Sequence, residues 1–219
     1  MRITVMKRIL AFGDSNTWGL IPGTKPFERY SEDTRWTGIL QKKLPDAEII
    51  EEGLCGRTTI FEDRFRPGRR GIDALEDILA DNHPLDLAII MLGTNDCKSY
   101  YNASPWLIGK GIEKCLDVAL DYLPPEKILL VSPIHLGEDV WRPEKDPEFS
   151  KRSVLCSREL EAVYAEIAAR RGVGFMAASD HATPSPVDNE HMDVHSHRKF
   201  AEAVLSYIRA GVLSPFRVA

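Results

Sequence analysis

Ile9-Leu10-Ala11-Phe12-Gly13-Asp14-Ser15-Asn16-Thr17-Trp18-Gly19 holds the decision about the fold. Four apolar residues in a row, followed by a glycine and a polar cluster, read as a buried strand that ends in a turn. A serine just past a strand end is open to a ligand yet held by a rigid element, as a nucleophile must be. The same residues also suit an ordinary turn, in which Asp14, Ser15 and Asn16 form the bend and Gly13 and Gly19 supply backbone freedom. The rest of the chain decides between the two.

Strand-like apolar runs recur at 47–52, 85–92, 127–131 and 173–176. The run at 85–92 is the most hydrophobic of the chain, and Pro84 and Gly93 flank it, as expected of a central strand buried on both faces. Between the runs, helical spacing predicts helices from Asp33-Thr34 to Leu44 (Trp36, Ile39, Leu40 and Leu44 in register) and over 71–82, 105–123 and 153–171, with a last one over 194–210. Strand and helix thus alternate five times. That pattern predicts an α/β fold, a three-layer flavodoxin-like sandwich around a five-stranded parallel sheet with right-handed crossovers. Two irregular segments, 20–32 and 132–149, exceed ordinary connector length and are expected to act as lids or subunit contacts.

The 219 residues suit one domain spanning 1–219, with 43% hydrophobic and 28% charged residues typical of a globular protein. A net charge of -5 argues against nucleic acid or a membrane surface as partner. The local group Arg64, Arg66, Arg69 and Arg70 reads as a solvated loop. No apolar segment approaches the roughly 20 residues of a membrane span. Charges interrupt the N-terminal residues 1–8, so no export signal is read there, Met6 is an alternative start, and a cytoplasmic location is expected. Cys55, Cys97, Cys115 and Cys156 show no paired spacing and are expected to be reduced.

In an open parallel sheet, ligands bind outside the carboxyl ends of the strands, so the loops after the five strands should share one edge. The first loop carries Ser15. The second, residues 53–59, carries Gly56, and the third, Gly93-Thr94-Asn95-Asp96, carries an amide. The fifth carries Asp188-Asn189-Glu190-His191. A serine nucleophile needs a base, an acid that orients the base, and donors for the oxyanion. Unrelated turns have no reason to supply complementary parts at successive strand ends, although Gly56 alone would serve a turn and Asn95 with Asp96 a helix cap.

These blocks resemble those of the SGNH hydrolases, also called GDSL esterases/lipases. Gly13-Asp14-Ser15-Asn16-Thr17-Trp18-Gly19, Arg35-Trp36-Thr37-Gly38, Glu51-Glu52-Gly53-Leu54 and the text from Ile90 to Asp96 are similar to the bacterial arylesterase/acyltransferase branch. The resemblance covers most of the chain and is weakest at 132–149. One departure is Asn16, where the namesake motif has leucine. The resemblance implies Ser15 as nucleophile, His191 as base and Asp188 as its partner. The backbone N–H groups of Ser15 and Gly56 and the amide of Asn95 would form the oxyanion hole. It also implies a pocket wall at Trp18, whose other reading is core packing, and a homo-oligomer. Thr94, Lys98, Ile134 and Trp141 are further candidate substrate contacts.

The crowded C-terminal loop admits a rival, in which His191, His195, His197 and nearby carboxylates ligate zinc, but the spacing matches no familiar metal motif. Asp193 instead reads as the N-cap of the last helix, whose apolar face is Phe200, Val204, Leu205 and Ile208. That places His195 toward solvent and His197 near the border of the buried face. No metal or cofactor is expected. The predicted activity is hydrolysis of small-molecule, short-chain (acetyl) esters through an acyl-serine, with transfer to alcohols as a variant. A carbohydrate O-acetylesterase and a non-catalytic flavodoxin-like ligand-binding module are the alternatives.

Overall fold

The computed structural model describes residues 6–211, so the reading of the first five residues lies outside it. Five parallel strands, β1 (Lys7–Gly13), β2 (Ala47–Gly53), β3 (Leu87–Met91), β4 (Ile128–Ser132) and β5 (Gly174–Ala177), form one sheet in the order β2-β1-β3-β4-β5. This is the doubly wound order expected of a flavodoxin-like sandwich. Helices α2 (Trp36–Lys43), α3 (Gly71–Asn82), α4 (Pro105–Tyr122), α5 (Lys151–Arg171) and α6 (Val194–Arg209) supply the outer layers, and a one-turn helix α1 (Ser15–Trp18) follows β1.

Side chains alternate across the strands, and that alternation divides the core in two. Leu10, Phe12, Ala88, Ile90 and Leu130 face α3, α4 and α5 through Leu79, Ile112, Leu116, Leu160 and Tyr164. Ile9, Ala11, Ile89, Met91, Leu129 and Val131 face α2 and α6 through Trp36, Leu40, Phe200 and Val204. Both faces of β3 are therefore apolar, which is why its sequence runs hydrophobic without interruption.

The predicted boundaries differ at two helix starts. The second helix begins at Trp36 rather than Asp33, because residues 32–34 form a turn ahead of it. Helix α5 begins at Lys151, two residues early, since Ser150 and Ser153 cap each other's backbone N–H groups. Asp193 caps α6 as expected, accepting from the Ser196 N–H at 2.8 Å. His195 is exposed, whereas His197 is fully buried rather than at a border: its Nδ1 accepts from the Trp36 N–H at 3.4 Å, and burial lowers its pKa to about 4.

Ile90 sits in the middle of β3 with no exposed surface. Truncating it to alanine is expected to cost about 2–5 kcal/mol, measured as a lower urea midpoint at unchanged slope.

Candidate active site

The strand order reverses at β1, which pairs with β2 on one side and β3 on the other. A crevice therefore opens beyond the carboxyl ends of β1 and β3, where their loops part in opposite directions. Ser15 and Asn95 stand at that crevice.

Ser15 opens α1. Asp14 caps the turn, its carboxylate accepting from the Asn16 N–H at 2.9 Å. The Ser15 hydroxyl lies 2.9 Å from His191 Nε2, and His191 Nδ1 lies 2.8 Å from Asp188 Oδ2. Asp188 is itself held: Oδ1 accepts from the N–H groups of Glu190 and His191, each at 3.0 Å, and Oδ2 from the Gly23 N–H at 3.2 Å. With one proton kept on Nδ1 toward the Asp188 carboxylate, the neutral ring has Nε2 free to accept from the serine hydroxyl, the arrangement a general base needs.

Asn16 straps this loop to the turn. Its Oδ1 accepts from the Met192 N–H at 2.8 Å, and its Nδ2 donates to the Glu190 carbonyl at 3.4 Å. A leucine at position 16 has no polar atoms to make either bond. The departure from the namesake motif thus has a local use that the sequence alone left unexplained.

Gly56, at φ +83°, and Asn95 approach Ser15 from the neighbouring loops. Asn95 Nδ2 donates to the Arg57 carbonyl at 3.1 Å, which fixes the amide and leaves its second N–H. Asp96 ties the two loops together, accepting from the Thr59 N–H at 3.0 Å and from its hydroxyl. Arg57 anchors the Gly56 loop from within. Its guanidinium stacks on Phe12 and donates to the carbonyls of Gly13 and Glu52, and burial lowers its pKa to about 10. Sequence reasoning passed over Arg57, and its place directly after Gly56 in the loop that follows β2 was the available signal.

These groups open on a cavity of about 370 Å³ lined by Ser15, Gly56, Asn95, Lys98, Asp188 and His191 among others. Trp18, Thr94 and Ile134 do not line it. The Trp18 backbone lies so close to Gly53 that a β-carbon there would meet it at 2.2 Å, and its ring lies under the Arg29 guanidinium. Thr94 is buried at the start of the turn that carries Asn95, and Ile134 packs among the apolar side chains toward α6. Trp141 is capped by Lys151 and donates to the Glu138 carbonyl. Both long irregular segments supply cavity wall, through Gly23, Thr24, Lys25 and Phe27 and through the stretch from Lys145 to Glu148. The arginine group is not simply solvated. Arg66 bridges Asp63 and Glu148, and Arg69 donates to the Cys55 carbonyl beside Gly56.

The charges are set by burial and by neighbours. Burial opposes a charged His191, yet Glu190 first, then the hydrogen bond and charge of Asp188, and finally Asp14 overcome it and push the imidazole up to about 9. Burial raises the Glu190 carboxyl to about 7 and Asp96 to about 6. Burial is the largest influence on Asp188 and acts to raise it, but the hydrogen bond and charge of His191 together with the N–H groups of His191 and Glu190 outweigh it and hold the carboxyl below the usual carboxylate range.

The sequence profile of the GDSL-like lipase/acylhydrolase family matches residues 11–198. Among solved structures, the native aryl esterase of M. smegmatis aligns at a TM-score of 0.85 with 35% identity, over 93% of this chain and 99% of that one. Est24, a carbohydrate acetylesterase from Sinorhizobium meliloti, aligns at 0.84 with 35% identity over 92% and 98%. A carbohydrate acetylesterase family member from the same organism aligns at 0.84 with 31% identity over 95% and 100%. No curated protein matches. Fold and relatives together define an ester hydrolase. The chain belongs to the GDSL-like lipase/acylhydrolase family, that is, to the SGNH hydrolases, in their arylesterase branch.

The raised pKa of His191 is measurable by NMR. Its imidazole is expected to lose its proton near pH 9 rather than near the ordinary 6.5, and Glu190→Gln should move that titration downward. Because the folded pKa is the higher one, the stability it contributes is fully present below about pH 6.5 and is lost as pH rises through about 9.

Proposed function

We propose that the chain is a serine esterase that cleaves short-chain, chiefly acetyl, esters through an acyl-serine intermediate. The observation that carries this reading is the contact chain from the Ser15 hydroxyl through His191 to Asp188, at 2.9 and 2.8 Å, opening into the cavity. Ser15 attacks the ester carbonyl while His191 takes its proton, and His191 returns that proton to the leaving alcohol. Water then attacks the acyl-serine with His191 again as base. The N–H groups of Ser15 and Gly56 and the Asn95 amide hold the oxyanion. Where an alcohol replaces water, the same steps amount to acyl transfer.

A small acyl group suits a modest cavity whose rim is largely charged, including Lys25, Arg66, Arg69, Lys98 and Glu148. The carbohydrate acetylesterases among the relatives support sugar esters as a second reading beside aryl esters. The reading extends to a cytoplasmic homo-oligomer acting without a cofactor, and exposed Phe65 and Trp106 support a contact between copies.

Hydrolysis of p-nitrophenyl acetate is the direct test. Ser15→Ala is expected to abolish it, and a serine-reactive phosphonate should label Ser15 in active protein. Retained activity in Ser15→Ala would point to another nucleophile, and no activity in the intact protein to a ligand-binding module. His191→Ala is expected to remove nearly all activity while His195→Ala is mild, and the reverse ranking refutes the assignment of the base. Asn95→Ala is expected to lower kcat by about 10²–10³, the typical cost of one oxyanion donor.

A further inference from the structure

Glu190 lines the cavity beside His191, and the steps above leave its place unexplained. It is 6% exposed and lines the cavity together with Ser15 and Asn95. Its backbone is fixed at both ends: its N–H donates to Asp188 Oδ1 at 3.0 Å, and its carbonyl accepts from Asn16 Nδ2 at 3.4 Å. The carboxylate is different. Among the described residues no group donates a hydrogen bond to it, and its one ion-pair contact is Oε1 to His191 Nε2 at 3.6 Å. Lys98, the lysine of the wall whose charge reaches Glu190, is paired with Glu148 at 2.6 Å. A buried carboxylate with free lone pairs is costly unless a donor reaches it. Here the donor has to come from the cavity.

Glu190 and Ser15 flank the same nitrogen. Once the serine is acylated, the molecule that discharges it must bring its oxygen to Nε2 from the cavity side, where Oε1 is the neighbouring acceptor. We propose that Glu190 selects the acyl acceptor, its carboxylate receiving a hydrogen bond from a second O–H of the incoming molecule and so favouring water and vicinal diols over simple alcohols. This rests on the serine reading given above. Water gives one proton to His191 and points the other at Glu190, whereas ethanol has no second proton to offer. In a vicinal diol the neighbouring hydroxyl fills that role.

The step balances without Glu190 changing state. A bond forms from the acceptor oxygen to the acyl carbon, the acceptor proton passes to Nε2, the bond to Ser15 Oγ breaks, and Nε2 returns the proton to Oγ. Run in reverse, the same step makes esters of vicinal diols, polyol and sugar acetates among them, the preferred acyl donors.

The test is acetyl transfer from p-nitrophenyl acetate to ethanol or to ethylene glycol at equal hydroxyl concentration, with each ester product measured against the p-nitrophenol released. The intact enzyme is expected to favour glycol monoacetate over ethyl acetate by about tenfold, the size of one hydrogen bond to a charged group. Glu190→Leu should remove that preference and shift acetyl from water toward ethanol, while Glu190→Gln, whose amide oxygen still accepts, retains part of it. No preference in the intact enzyme overturns the proposal, as does an equal preference in Glu190→Leu. Should the leucine variant not fold, the intact enzyme and the glutamine variant decide. Labelling by a serine-reactive phosphonate separates the two levels: loss of activity without label on Ser15, or full activity in Ser15→Ala, refutes the serine reading itself, and this proposal with it.

Discussion

The pairing of β1 with strands on both of its sides is the constraint on which the molecule rests. An interior first strand makes its own loop and that of β3 diverge, and the loops after β1, β2 and β3 meet at the gap beside Ser15. Gly53 has to be a glycine because α1 folds back against it, and Asp96 has to be buried because it holds the β2 and β3 loops in register. The layers on either face then follow from strand alternation alone, one carrying Leu10 and Ile90 and the other Ile9 and Ile89.

Most of this framework could be read from the residues because it depends on local pattern. The run ending at Met91 is apolar on both faces, α3 falls over the predicted 71–82, and Asp193 announces α6 through ordinary cap chemistry. The loops that meet at the cavity were legible for the same reason: topology alone sends successive strand ends to one edge. What escaped was whatever depends on partners distant in sequence. Arg57 looks like one more loop arginine until Phe12 lies beneath it, and Asn16 looks like a turn residue until Met192 reaches it. Trp18 is the opposite case: the resemblance suggested a pocket wall, but it stands at the far end of the one-turn helix, beneath Arg29, and does not line the cavity.

Charge at the cavity is arranged by contrast. Asp188 is kept ionised by its hydrogen bonds, whereas Glu190 and Asp96 are raised by burial, so neighbouring carboxylates differ in the pH at which they ionise. Two of them bear on opposite nitrogens of the same imidazole. Asp188 orients the ring through Nδ1, while Glu190 reaches the edge that faces the reacting oxygen.

The strap from Asn16 to Met192 joins residues 176 positions apart. Contacts of such long sequence separation are slow to close, since loop entropy must be overcome before they contribute. During synthesis on the ribosome, the serine turn and its sheet neighbours emerge long before the imidazole that pairs with the hydroxyl. A nascent chain thus carries a shaped serine without its partner, and the reactivity proposed for it arises only when the last loop docks. Labelling of that hydroxyl becomes a clock for the completion of folding.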